Sequence, residues 1–223
     1  SSATPAGKTR TPGQNFLHVP DAMKILLDSS PKKIDEYSTR YEHDFWQLRT
    51  PLTRHKLSGK PYGLDNGCFS GSLPPSWTRL LAEAEDHRPI FVALPDVVGD
   101  ARRTLDLFEV FWLKTNGLPR ALVLQDGIGQ HRIPWDDLSA VFVGGTDEFK
   151  ISREAINACR TAKMLGKWVH VGRVNTAARV RDWIGLADSI DGSGISRFDH
   201  MLEDVLSMIQ GVHPQKQMFE ALT

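Results

Sequence analysis

Residues 167–191 read KWVHVGRVNTAARVRDWIGLADSID. Two short apolar runs, 167–173 and 188–192, flank a stretch of helical period that Asn175 or Thr176 opens as N-cap. Neither run alternates strictly between apolar and polar residues. Strands buried on both faces read this way. Strand, helix and strand in so short a span make a parallel βαβ unit. The rhythm continues upstream. Strand-like runs recur at PYGLDNG (61–67), PIFVALPD (89–96), RALVLQDG (120–127) and AVFVGG (140–145). Helical patterns lie between them. Ser76 is the expected N-cap of SWTRLLAEAED, Asp100 opens DARRTLDLFEVFWLK, and Ser152 opens SREAINACRTAKMLG with Gly166 as its stop. Asp199 opens a last one, DHMLEDVLSMIQG, with Gly211 as its stop.

Six such units follow residue 60. NFLHV (15–19) supplies a seventh strand, and KILL (24–27) an eighth or a short helix. The pattern predicts an α/β fold, a single-domain (β/α)8 TIM-like barrel over residues 15–223. It is small beside the typical size of about 250 residues. A doubly wound open sheet is the competitor, and residues 1–60 fit either architecture poorly. The first 14 residues, SSATPAGKTRTPGQ, are small, polar and contain Pro and Gly. They read as a disordered lead-in or a remnant of cloning.

The bulk composition narrows the function. Of 223 residues, 40% are hydrophobic and 24% charged, ordinary values for a globular protein. No apolar run approaches the roughly 20 residues that span a bilayer, so no membrane partner is expected. Cys68 and Cys159 form no metal-spaced cluster and no disulfide framework. A reducing, cytoplasmic setting follows, the host cytoplasm if the chain is phage-encoded. Lys and Arg number 27 against 27 Asp and Glu, which argues against a strong sequence-blind grip on nucleic acid. The balance is uneven, however. Residues 1–60 hold ten basic and six acidic residues, a net of +4, densest from Arg54-His55-Lys56 to Lys60. That stretch reads as a basic edge or as a solvated loop.

In a parallel barrel the C-terminal ends of all strands face one side, and that side carries the active site. Here those ends give Asp65, Asp96, Gln125-Asp126, Gly144-Gly145, Gly172-Arg173 and Asp191. Asp and Gly are common turn residues, which accounts for any one position better than for six. Three carboxylates without a His or Cys cluster do not resemble a zinc site. No Gly-rich loop before a helix resembles a phosphate cradle. Two carboxylates across a pocket suit glycosidic chemistry, one attacking the sugar carbon and the other moving protons. The remaining Asp and Gln, with the backbone amides of Gly144-Gly145, suit the hydrogen-bonding edge of a guanine.

Read in order, LDNGCFSG (64–71), ALPDVVGD (93–100), LVLQDG (122–127), VFVGGTDE (141–148), HVGRVN (170–175) and SIDGSGISR (189–197) resemble the tRNA-guanine transglycosylase superfamily. The resemblance covers roughly residues 61–200. It implies a pentosyltransferase that cleaves the N-glycosidic bond of a guanine in a polynucleotide and inserts a 7-deazaguanine. By position, Asp191 matches the nucleophile that attacks C1′, with Gly192 and Gly194 after it expected to let a sugar-phosphate approach closely, and Asp65 the acid/base. Asp96 and Gln125 match base-recognition residues. Gly145, beside Gly144, would supply a backbone amide. Phe69 would stack on the base, with Val171 and Gly172 near its other face. Arg197 matches a phosphate-contacting arginine, and Arg173, where relatives have a smaller residue, is placed with it as a nucleic-acid contact that could alter base selectivity.

The tRNA enzymes also carry a zinc-binding Cys/His cluster near the C-terminus, whereas no Cys follows Cys159 here. The sequence is more similar to the compact, zinc-free phage and bacterial relatives that place 7-deazaguanines such as preQ0 in DNA. DNA is therefore expected before tRNA, with no cofactor or metal, and with a partner protein or homodimer open as a source of DNA affinity. The same exchange on tRNA, a glycosylase that only releases the base, a non-catalytic purine-binding module, and a generic barrel lyase or isomerase are the competing readings. His170 reads as a ligand contact or as a structural pair. Trp77, Trp112, Trp135, Trp168 and Trp183 read as packing residues, and Asp126, Asp147 and Glu148 as turn residues or supports of the site.

Overall fold

Each strand is three to five residues long, and most are apolar because both faces are covered by other parts of the protein. The computed structural model describes residues 23–211. Its strands are β1 (Lys24–Leu27), β2 (Trp46–Arg49), β3 (Tyr62–Leu64), β4 (Phe91–Ala93), β5 (Arg120–Leu124), β6 (Ala140–Val143), β7 (Trp168–Val171) and β8 (Ser189–Asp191). They pair in parallel in chain order and close into a barrel. Closure comes from β8 against β1, with Lys24, Ile25 and Leu26 opposite Ser189, Ile190 and Asp191. The helices are α1 (Pro31–Arg40), α2 (Ser76–Asp86), α3 (Ala101–Trp112), α4 (Asp147–Lys150), α5 (Arg153–Met164), α6 (Ala177–Trp183), α7 (Ser193–Arg197) and α8 (Asp199–Ile209). The (β/α)8 barrel expected from the strand–helix rhythm is the fold of the chain.

Strand alternation sorts the core into two layers. Leu26, Phe91, Ala121, Val123 and Phe142 point into the barrel. Ile25, Val92, Leu122, Val141, Val169 and Val171 point outward and pack with helix residues such as Trp77, Phe108 and Trp183. Trp46 and Trp168, at the N-terminal ends of β2 and β7, stack at 5.8 Å. They pack against the interior layer from that end.

The first 60 residues differ most from expectation. KILL is a strand, β1. The strand placed at 15–19 lies outside the described residues. The remaining strand is β2, WQLR, which the apolar-run signal passes over. Its outward residues are polar because they meet polar groups of a loop and of α2. Gln47 donates to the carbonyls of Ser29 (3.2 Å) and Lys56 (2.8 Å) and accepts from the N–H of Ser58. Arg49 forms two hydrogen bonds to Glu83 of α2, at 2.7 and 3.1 Å. α1 starts on a standard signal that the composition hides, Ser30 accepting from the N–H of Lys33 with Pro31 behind it. The ring of helices is also broken after β5, where only short 3-10 turns precede β6.

Asp100, Ser152 and Thr176 cap their helices as expected, each accepting from a backbone N–H three residues on. Two expected caps shift by one residue. Ser76 is the first residue of α2 after Pro75, and its hydroxyl donates to the carbonyl of Pro51. Asp199 is the first residue of α8 after Phe198, and its carboxylate is taken by Tyr37 and Arg40 of α1. Gly166 and Gly211 lie just past the ends of their helices with positive φ, as stops require.

The interior leaves no slack at β3. A Cβ built on Gly63 would stand 2.3 Å from the Phe91 ring. Gly63→Ala is expected to overpack the barrel and cost about 1–3 kcal/mol, read as a fall of several degrees in Tm. An unchanged Tm would mean that the barrel interior can yield at this point.

Candidate active site

The polar strand ends gather at one mouth, as the parallel barrel requires. Asp191 ends β8 and is 7% exposed. Its Oδ2 lies 2.8 Å from Nε2 of His170, a residue of β7 wholly buried inside the barrel. Trp168 Nε1–H, a pure donor, gives its hydrogen bond to Ser189 Oγ at 2.8 Å. The Ser189 hydroxyl in turn serves His170 Nδ1 at 2.7 Å, which leaves Nε2–H to donate to Asp191. Among the described residues, Asp191 Oδ1 meets only the N–H of Arg173, at 3.4 Å. One oxygen is therefore anchored and the other nearly free. His170 takes the structural role between its two readings.

Asp65 follows β3 directly. Its N–H donates to the carbonyl of Arg49, and its Oδ2 accepts from the N–H of Gly67 at 3.3 Å. Gly67 has a φ of +73°, the left-handed turn that lets the chain double back here. Burial, reinforced by the charges of Asp191 and Asp96, pushes the Asp65 carboxyl up to about 7, against the N–H groups of Asn66 and Gly67. At neutral pH this group can give or take a proton.

Asp96 ends the β4 segment and is clasped by two amides. Asn66 Nδ2 donates to its Oδ1 at 2.8 Å, and Gln125 Nε2 to its Oδ2 at 2.6 Å. Gln125 is itself fixed by the N–H of Gly99. Burial raises the Asp96 carboxyl, partly opposed by these donors and by Arg173. Gly144 borders this network, since a Cβ there would meet Gln125 Nε2 at 2.8 Å. Gly172 lies beside the nucleophile candidate, where a Cβ would come within 3.3 Å of Asp191 Oδ2. The carbonyl of Gly145 accepts from the Arg173 guanidinium, which stands 4.2 Å over the ring of the exposed Phe69. Arg173 holds a φ of +60°, a strained value for a residue with a Cβ. Arg197 is exposed at the end of α7, and its charge weakly opposes the rise that burial imposes on the Asp28 carboxyl.

Two expectations are corrected. Val171 does not face the pocket. It alternates with His170 on β7 and is buried in the outer layer against the helices. Gly192 and Gly194 do not leave room for a sugar-phosphate. A Cβ on either would strike Asn175, whose Oδ1 accepts from the N–H groups of Gly194 (2.7 Å) and Ile195 (3.3 Å). Asp126 supports the rim, accepting from the N–H and hydroxyl of Thr146, and Asp147 pairs with Arg179. Burial pushes the Cys68 thiol up to about 11, so it is no nucleophile at neutral pH.

Four participants escaped the sequence reading. Asp28 follows β1 directly, as Asp65 follows β3. Its pattern, KILLD, was hidden by the doubt over 24–27. It accepts from the Thr53 hydroxyl at 2.8 Å, and burial with the charge of Asp191 raises its carboxyl. Asn66 clasps Asp96. Lys150, buried on α4, donates to the carbonyl of Gly172 at 2.6 Å, and burial pushes its ammonium down to about 8. Ser189 hides within its strand. No metal-binding group of three His, Cys, Asp or Glu occurs among the described residues.

No family model matches the chain, and no curated protein matches it. Among solved structures it is similar to one from Aquifex aeolicus VF5 described as "Structural study of Project ID", at 14% identity and a TM-score of 0.37. The alignment covers 68% of this chain and 60% of that one, so the chain spans about three fifths of that neighbour's length.

A carboxyl raised from its unfolded value of about 4 to about 7 keeps its proton longer in the folded state. Its contribution to stability is complete at acid pH and is lost as pH rises through that window. Asp65→Asn, which does not ionise, is therefore expected to gain stability relative to the wild type between about pH 4 and 7, followed by thermal melts. A constant difference across that range would show that Asp65 titrates normally.

Proposed function

We propose that the protein is a base-exchange transglycosylase that replaces guanine in a polynucleotide, DNA before tRNA, by a 7-deazaguanine of the preQ0 kind. The observation that carries this reading is the pairing of Asp65 and Asp191 at one mouth. One is raised to neutral pH partly by the charge of the other, and the second has an oxygen almost free of donors. In the reading, Asp191 Oδ1 attacks C1′ of the target nucleotide as the C1′–N9 bond breaks. The electron pair goes to the departing guanine, which takes the Asp65 proton. The sugar is left as an ester of Asp191. Asp65, now a carboxylate, removes the N9 proton of the incoming deazapurine. That nitrogen attacks C1′ and expels Asp191.

The other contacts suit this use. The Asp96–Gln125–Asn66 network offers a fixed polar edge to a purine. A base entering to stack on Phe69 takes the place that the Arg173 guanidinium occupies in the unbound protein. The target base must leave its stack to reach carboxyls at the strand ends, and an exposed aromatic offsets part of that cost. Among the described residues no helix is long and apolar enough to cross a membrane.

Incubating the protein with guanine-containing DNA and preQ0 is expected to give incorporation of the deazapurine without net base loss, and Asp191→Asn is expected to reduce turnover by at least about 1,000-fold. Abasic product in place of incorporation would make the enzyme a glycosylase. Full activity of Asp191→Asn would remove the covalent mechanism.

A further inference from the structure

A second hollow of about 860 Å³ opens beside the mouth, between the segment that follows β2 and the start of α2. Its lining includes Arg49, Arg54 and Arg79, the hydroxyl residues Thr53 and Ser76, and no carboxylate. On a chain with as many acids as bases that lining is distinctive. Arg49 is spent on Glu83. Arg54 and Arg79 are exposed and make no ion pair among the described residues. The hollow is joined to the candidate site at two points. Thr53 donates to Asp28 at 2.8 Å. The turn that carries Asp65 is seated on its wall, since a Cβ at Gly67 would touch Pro51 at 2.8 Å and Leu52 at 3.3 Å.

A polynucleotide with one base in the pocket must lay its neighbouring phosphates on the rim. We propose that this hollow binds the phosphodiester of a nucleotide flanking the target, with Arg54 and Arg79 as the charged contacts. The proposal rests on the base-exchange reading and adds a path for the strand to it. A guanidinium suits this task because its planar fork matches phosphate oxygens. Because the turn of Asp65 packs on Pro51 and Leu52 of the lining, a phosphate held in the hollow fixes the distance between strand and acid.

The test is fluorescence anisotropy of the full chain with a labelled single-stranded DNA of about 15 nucleotides containing one guanine, between about 50 and 200 mM salt. Arg54→Ala/Arg79→Ala is expected to weaken binding about tenfold or more at the low end. It should flatten the slope of log K against log salt by about 1.4, the value for two phosphates on a single strand. Arg54→Lys/Arg79→Lys should keep most of that slope, and binding of free guanine should not change in either variant. An unchanged slope in the alanine variant, with the wild type still bound to DNA, would overturn the phosphate site and leave the base-exchange reading standing. Equal competition by a nucleoside monophosphate and by the oligonucleotide would make the hollow a small-anion site and overturn the strand path. A wild type that binds guanine but no DNA would overturn the polynucleotide reading itself.

Discussion

Four carboxylates, those of Asp28, Asp65, Asp96 and Asp191, stand at one end of a barrel whose walls are closed by hydrogen bonds all the way round. Ionised carboxylates that lose water and face one another raise each other's cost. Much of the mouth is arranged around that constraint. Asp191 rests on a hydrogen-bonded chain running from Trp168 through Ser189 and His170. Asp96 is held by two amides and Asp28 by a threonine hydroxyl. Asp65 has only two backbone N–H groups, so it answers the crowding by holding its proton up to about pH 7. Three of the groups meet side-chain donors and Asp65 meets backbone N–H groups, so the four carboxyls are not equivalent.

The cations near the mouth act on the same constraint from further out. Arg173 reaches across from β7 to Phe69 and Gly145 and opposes the rise in the Asp96 carboxyl. Lys150, buried under the end of β7, is stabilised in its charged form by Asp191 while burial and Arg173 act against it. Its ammonium grips the carbonyl of Gly172, the residue whose missing Cβ leaves space beside Asp191.

Much of this was legible in the sequence, for a physical reason. Strands buried on both faces are apolar, and the residue that ends each one is released into the mouth. ALPD, LVLQ and SID therefore announce Asp96, Gln125 and Asp191 without any structure. β2 was illegible because its outward face meets a loop and the carboxylate of Glu83 on α2, so it carries Gln47 and Arg49 where a strand of the usual kind has Val or Ile. With β2 unread, β1 was ambiguous and Asp28 went unnoticed. Side-chain direction was the other blind spot. Val171 and His170 are adjacent, and only the alternation of β7 decides that the histidine points inward. The glycines after Asp191 likewise read as open space until Asn175 is seen to fill it.

The account turns on whether Asp191 forms a bond to the sugar. The most direct measurement is denaturing electrophoresis of the protein incubated with labelled guanine-containing DNA and a deazapurine, followed by mass spectrometry of the shifted band. The account predicts a covalent adduct that maps to Asp191 and vanishes in Asp191→Asn. An adduct on another residue, or exchange proceeding with no adduct in either protein, would contradict it.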